Sequence, residues 1–487
     1  MEFLLLVAVL AGIVWLGVFT LRGPILWGCA LFLFATCVLG HEFFNVNIGT
    51  QITIDRAWML VLCLIAVIQR CLGLHEPKPW GKVEWTLAAF LCLLTLHVAM
   101  LEDSFTRGKL SGAAYWHLVI GYLFPVALYF IARQSALTEQ RVLALHGFLI
   151  AFGLYLGVTG CLEMSKQWWA VWPRYIADEK VGLHFGRARG PMVQSVSYGF
   201  YMSVCACAAF LAAYRWPIKG KLLAWPLGIL MLGGAGLTLT RSVWMGTAAV
   251  VALLTGFCLR DPWRKIVLAG GAAAALLIVA TSLESITGFQ REGSVEDTRS
   301  SAECRAQFAY VSWLMFQDKP LFGFGFGNFP EEKMPYLDLR NVDMNMELIR
   351  PLIHHNTYLD LLVELGLIGL ALYLAVLLGW AWMGWKLATG ARQPTWVKCH
   401  GVLFLGALAS YMIQMLFHEV TFTSHDNALL FTLAGVASGL YARPPQPELR
   451  LDRERTSTNH EWWLAHSGNP AAATLSSAPF SRSIPNS

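Results

Sequence analysis

Apolar runs of membrane-crossing length recur from one end of this 487-residue chain to the other, and they leave few folds open. A helix needs about 20 predominantly apolar residues to cross a bilayer, and it satisfies its own backbone hydrogen bonds where no water can. Runs of this kind fall near residues 3–21, 24–40, 52–69, 84–101, 113–131, 142–161, 191–213, 222–239, 242–259, 265–282, 354–385, 399–417 and 426–442. The expected fold is all-α: a polytopic membrane bundle of about 12–13 transmembrane helices with a helical periplasmic loop subdomain. Composition agrees. Hydrophobic residues make up 56% of the chain and charged residues only 14%, with a mean hydropathy of +0.52, against roughly 25% charged in soluble domains. The first run lacks a basic flank and continues through Leu21–Pro24 into the second, which reads as a retained hairpin and not a cleaved signal peptide.

Basic residues set the expected orientation. The short loops with Arg70/Lys78/Lys82, Arg133/Arg141, Arg215/Lys219/Lys221, Arg260/Arg264/Lys265 and Lys386/Arg392/Lys398 alternate along the chain and are assigned to the cytoplasm. The net charge of +5 is taken up by these loops, so it makes no case for nucleic-acid binding. The organisation expected is N-terminal membrane helices over 1–162, an outer loop at 163–190, central membrane helices over 191–282, a large periplasmic loop at 283–353, C-terminal membrane helices over 354–442, and a disordered cytoplasmic tail at 443–487. Eleven cysteines sit mostly inside apolar runs with no CxxC pair, which reads as small buried residues.

Chemistry is expected where the last long apolar helix begins. In Arg350-Pro-Leu-Ile-His354-His355-Asn356-Thr357-Tyr358-Leu-Asp360-Leu-Leu-Val-Glu364-Leu-Gly366-Leu-Ile-Gly369, polar groups crowd the first turns. In a bilayer such groups are costly and face a protein-lined or wet cavity. At 100° per residue Asn356, Thr357, Asp360 and Glu364 share one face, and Gly366 and Gly369 leave room for a second helix. His355, at the helix mouth, is placed to accept a proton from an incoming hydroxyl. The competing reading is an interfacial histidine bonded to a loop carbonyl, and His354 is a second candidate for the same role.

Arginines on the outer side oppose the usual charge bias and need a reason. Thr240-Arg241-Ser242 separates two apolar runs, and Gly186-Arg187-Ala188-Arg189-Gly190-Pro191 precedes another. The planar guanidinium fork matches phosphate oxygens, and snorkelling to lipid phosphates is the alternative. No acidic pair or HExxH motif suggests a metal site, so arginines are expected to neutralise a leaving group, with no cofactor. A Gly–Phe alternation over Lys319–Pro330 suits an irregular turn with close backbone approach. His418 and His425 in the last outer loop are possible supports.

With these residues in view, the chain resembles the bacterial O-antigen ligase/O-antigen polymerase superfamily over roughly residues 184–440. The signature is Pro351–Gly369. Arg187–Pro191, Thr240-Arg241-Ser242-Val243-Trp244 and Lys319–Phe329 are similar in order and placement. The resemblance implies a C-type glycosyltransferase of the bacterial inner (plasma) membrane, its active site facing the periplasm. It would transfer a glycan, with inversion, from undecaprenyl diphosphate to an acceptor hydroxyl. His355 would be the base, and Arg241, Arg189 and Arg187 would hold the diphosphate. His354, Asn356, Tyr358, Asp360 and Glu364 would support them. Partners implied are the lipid-linked donor, a lipid, glycan or protein acceptor, and membrane lipids. An O-antigen ligase is the leading expectation; a polymerase or a protein O-oligosaccharyltransferase is the alternative within the family, and a transporter or flippase the alternative outside it. The family pattern often has Asn-Pro or His-Pro after the Arg-Gly-Pro; this chain has Met192-Val193-Gln194 instead.

Overall fold

The computed structural model describes residues 23–47, 51–74, 77–100, 111–273, 295–338, 346–352 and 354–443, with scattered positions before residue 23. The runs expected at 3–21 and in the second half of 265–282, and the tail beyond Arg443, lie outside the described residues. The rest is an all-α bundle. Its helices are α1 (Ile25–Val38), α2 (Ile54–Cys71), α3 (Lys82–Met100), α4 (Phe124–Gln134), α5 (Glu139–Met164), α6 (Ser195–Arg215), α7 (Ile218–Leu237), α8 (Arg241–Cys258), α9 (Val295–Asp318), α10 (Thr357–Thr389), α11 (Thr395–Gln414) and α12 (Ser424–Tyr441). A π-helical turn, His117–Leu123, leads into α4. A two-residue antiparallel pair, Val46–Asn47 with Gln51–Ile52, is the only strand pairing among the described residues.

Among the described residues, eight helices are long and apolar enough to cross a membrane: α3, Ala114–Gln134, α5, α6, α7, α8, α10 and α11. This is a multi-pass membrane protein. Helices α1, α2 and α12 pack in the same bundle, so the expected spans that fall on described residues each coincide with a helix to within a few positions. The central helix is α6, nearly every residue of which is buried. Around it the core is continuous from Ile25 to Leu440.

The two sets of loops gather at opposite ends of the bundle. At the basic end, Glu84 of α3 accepts from Tyr129 (2.6 Å), Arg133 Nε (3.0 Å) and Ser438 (2.7 Å). Arg133 also donates to the carbonyls of Lys78 and Pro79. This buried pair therefore clamps the starts and ends of three helices distant in sequence. At the other end lie the starts of α6, α8, α10 and α12 and the end of α7, joined by side-chain hydrogen bonds such as Ser195–Thr240 (3.1 Å) and Ser197–Asp426 (2.9 Å).

α10 is the longest helix at 33 residues, about 50 Å at 1.5 Å per residue, well beyond a hydrocarbon core of about 30 Å. It is broken at Gly366, whose φ of 66° and ψ of −168° lie where only glycine sits comfortably. The Gly–Phe loop fills the break. Phe324 N donates to Val363 O and Gly325 N to Glu364 O, both at 2.9 Å, while Leu367 N and Ile368 N donate to Pro320 O (2.8 Å) and Leu321 O (3.3 Å). A loop, not a second helix, occupies the space that Gly366 opens, since a Cβ there would fall on the Leu321 carbonyl, whereas one on Gly369 would meet Leu365 of the same helix. The segment around α9 has a small core of its own, including Phe308, Val311, Met315, Phe329 and Ile349.

Candidate active site

Residues Met415–Thr423, between α11 and α12, form a strap across the mouth of α10. Thr357 N donates to Met415 O (2.9 Å), Thr357 Oγ1 to His418 O (2.9 Å), and Asn356 Nδ2 to Leu416 O (3.0 Å). The strap also reaches α8: Ser242 Oγ and His418 Nε2 are 2.8 Å apart. Through this single turn of chain, the residue after Arg241 and the residues after His355 are held to one another. A third residue joins them. Arg305, on α9, lies over the ring of Phe417 with its guanidinium carbon 5.8 Å from the centroid.

The two histidines separate cleanly. His354 is buried. Its Nδ1 accepts from Asn356 N (3.1 Å), so Nε2 carries the proton toward Ser312 Oγ at 2.8 Å. Burial, with positive Lys333 nearby, pushes it down to about 3, so it is neutral and fully used. His355 is exposed and stacks on Phe308 at 5.7 Å with rings 25° apart. Among the described residues its ring nitrogens have no hydrogen-bond partner. Three residues before Phe308 on α9 comes Arg305, so one face of that helix carries both the ring beneath His355 and the nearby cation.

The other expected residues divide by what they touch. Arg241 is the first residue of α8 and is exposed, with no partner among the described residues. Arg189 is buried. Its guanidinium donates to the carbonyls of Ile176 (2.9 Å), Asp178 (2.7 Å) and Val181, and lies over Phe185. Its donors are spent on folding the 176–181 loop. Arg187, half-buried, stands in the same loop with its amide on His184 O. The amides of Arg189 and Gly190 both bond Glu163 Oε2.

Asn356 caps α10, its Oδ1 accepting from Leu359 N at 3.1 Å, and Tyr358 OH holds Met412 O at 3.0 Å. Glu364 is buried and receives the Gly327 and Phe329 amides at 2.8 and 3.3 Å. Asp360 is buried beneath the strap against Glu419, whose own carboxyl burial pushes up to about 7. These groups hold the mouth of α10 in shape. Exposed beside this mouth are His355 and Arg241, with Arg305 over Phe417.

Arg305 and Glu419 did not stand out in the sequence. Arg305 sits one residue before the apolar-periodic stretch that starts at Ala306, and only its spacing from Phe308 marks it. Residues 226–374 match the family model described as O-antigen ligase. No protein of curated function matches the chain. The matched segment contains Arg241, Arg305, the Gly–Phe loop, both histidines and Gly366, and leaves out Arg187 and Arg189. Over that segment the chain is similar to the O-antigen ligase/polymerase family of glycosyltransferase-like membrane enzymes.

Proposed function

We propose that this protein moves a glycan from undecaprenyl diphosphate onto an acceptor hydroxyl at the periplasmic membrane face, with inversion, as an O-antigen ligase does. The observation that carries this reading is the exposed His355 imidazole, without a hydrogen-bond partner among the described residues and tied through one strap to the start of α8, where Arg241 stands. The acceptor oxygen attacks the anomeric carbon as its proton passes to His355. The bond from that carbon to the diphosphate oxygen breaks, and the lipid diphosphate leaves as an anion. Arg241 and Arg305 neutralise the charge that develops there, the role of positioned donors in stabilising a developing anion. Arg189 and Arg187 act one step back, by shaping the loop that precedes α6.

A polymerase or protein glycosyltransferase would use the same steps with another acceptor. The break in α10 is a feature that transporters share. Here, however, the freed backbone groups are taken by the Gly–Phe loop and do not line a passage, which favours transfer. The test is transfer by the purified full chain from an undecaprenyl-diphosphate-linked glycan. His355→Ala should abolish transfer while membrane insertion is retained. Near-normal transfer by that variant would remove His355 from the mechanism.

A further inference from the structure

Arg241 opens α8 after a short link, residues 238–240, from the end of α7. Both of its neighbours in sequence, Thr240 and Ser242, carry hydroxyls and are buried. Each hydroxyl leads to a histidine from a different part of the chain. On one side Thr240 Oγ1 lies 3.1 Å from Ser195 Oγ, at the first residue of α6, and Ser195 Oγ lies 2.9 Å from His184 Nδ1. On the other side Ser242 Oγ lies 2.8 Å from His418 Nε2 of the strap. Hydrogen bonds between buried groups are stronger than those in water, and bonds in a chain reinforce one another.

The chain through Ser195 has a direction. A hydroxyl has one proton to give. Thr240 gives its proton to Thr238 O at 2.9 Å, so Ser195 donates to Thr240, and the Ser195 oxygen in turn receives from His184. His184 therefore carries a proton on Nδ1. Thr240 stands at the N-cap of α8, where a threonine oxygen ordinarily accepts from an amide of the first turn. Here it makes no such bond and receives Ser195 instead. The loop of His184 also meets the end of α7 along the backbone, through Ala188 N to Leu237 O at 3.2 Å. The strap side is anchored as well. Thr357 Oγ1 donates to His418 O (2.9 Å) and accepts from Val420 N (3.1 Å), so His418 stands on a fixed base at the mouth of α10.

We infer that His184 and His418 are positioning residues that fix the start of α8, and with it Arg241, from two sides. Their effect passes through that arginine. A long guanidinium meets a diphosphate only as well as its backbone is placed, and a misplacement of about 1 Å far from the chemistry can cost about a hundredfold in rate. The inference rests on the transferase reading for the ligand alone; the two-sided hold on α8 is a property of the chain without one.

The test pairs two measurements on the full chain in lipid nanodiscs: hydrogen exchange at the start of α8, and binding of undecaprenyl diphosphate. His184→Ala and His418→Ala should each speed exchange of the Trp244 amide, which donates to Thr240 O, by about threefold or more, and weaken binding by as much. His184→Asn keeps a donor where Nδ1 stands and His418→Gln keeps a polar group where Nε2 stands, so both should stay within about twofold of wild type. His184→Asp has the size of asparagine but, ionised, no proton to give, and should behave as His184→Ala does. Ser242→Ala should reproduce His418→Ala, which keeps the test open where a histidine variant fails to fold. In an Arg241→Ala background, His184→Ala and His418→Ala should cost no further affinity, the mark of residues that act through that arginine. Wild-type exchange or wild-type affinity in both alanine variants, or a loss carried undiminished into Arg241→Ala, overturns the inference, as does His184→Asp matching His184→Asn. Exchange needs no ligand, so a chain whose exchange responds but which binds no diphosphate fails the transferase reading alone. A chain that binds the diphosphate equally with and without the two histidines fails this inference alone.

Discussion

Gly366→Ala tests the junction that gives the mouth of α10 its shape. At φ 66° and ψ −168° an alanine is strained by about 1–3 kcal/mol, and its Cβ would land on the Leu321 carbonyl. The Gly–Phe loop must then withdraw, which removes the four backbone hydrogen bonds that join residues 320–325 to Val363–Ile368. At about 0.5–1.5 kcal/mol each, the combined local cost is about 3–9 kcal/mol. Even the lower figure corresponds to about a hundredfold change in a local opening equilibrium. Hydrogen exchange read by mass spectrometry should therefore show the Phe324, Gly325, Leu367 and Ile368 amides exchanging about a hundredfold faster or more in the variant. Glycan transfer should fall with it, since Phe329 of the same loop packs against His354 at 4.8 Å. Gly256→Ala, in α8 with nothing within 4 Å of the new methyl, is the control and should exchange as wild type. Unchanged protection in Gly366→Ala would refute the claim that this loop fills the helix break.

Three other outcomes are expected. Glu84→Ala leaves Arg133 buried without its anion and should destabilise the bundle by about 3–5 kcal/mol, seen as a lowered thermal midpoint in detergent, with Glu84→Gln intermediate. His354 has a folded-state pKa of about 3 against an ordinary 6.5, so the unfolded form binds the extra proton between those values. Stability of the α9 segment should be unaffected above about pH 6.5 and fall as pH drops below it, read as growing proteolysis within residues 295–352 at pH 5; His354→Gln should flatten that dependence. Glycan transfer should survive EDTA, because the arginines supply the charge; loss in EDTA with rescue by a divalent ion would contradict this.

The helices were legible because each crossing element must carry its own run of about 20 apolar residues, a constraint written locally. The break at Gly366 was not. Glycine is common in membrane helices, and what marks this one is a loop some 40 positions earlier that meets it only in three dimensions. The histidine stretch was legible as a cluster of polar groups at a helix mouth, yet the choice between His354 and His355 needed Ser312, a residue on another helix. The arginines show the same limit. Arg189 and Arg241 look alike in sequence, both beside small residues at the start of a span. One meets three carbonyls of its own loop and the other is exposed. Arg305 was hidden by its place between a polar stretch and an apolar one, and only the fold brings it to Phe417.

The division of labour between imidazole and guanidinium can be read in one experiment, binding of undecaprenyl diphosphate without its glycan to the full chain and its variants. Loss of a charge-assisted contact is worth about 1.5–3 kcal/mol, so Arg241→Ala and Arg305→Ala should each weaken binding by about tenfold or more, and Arg241→Lys should fall between them and wild type. His355→Ala should bind as wild type does while transferring nothing. Wild-type affinity in both alanine variants of the arginines, or equal loss of affinity in His355→Ala, would contradict the account.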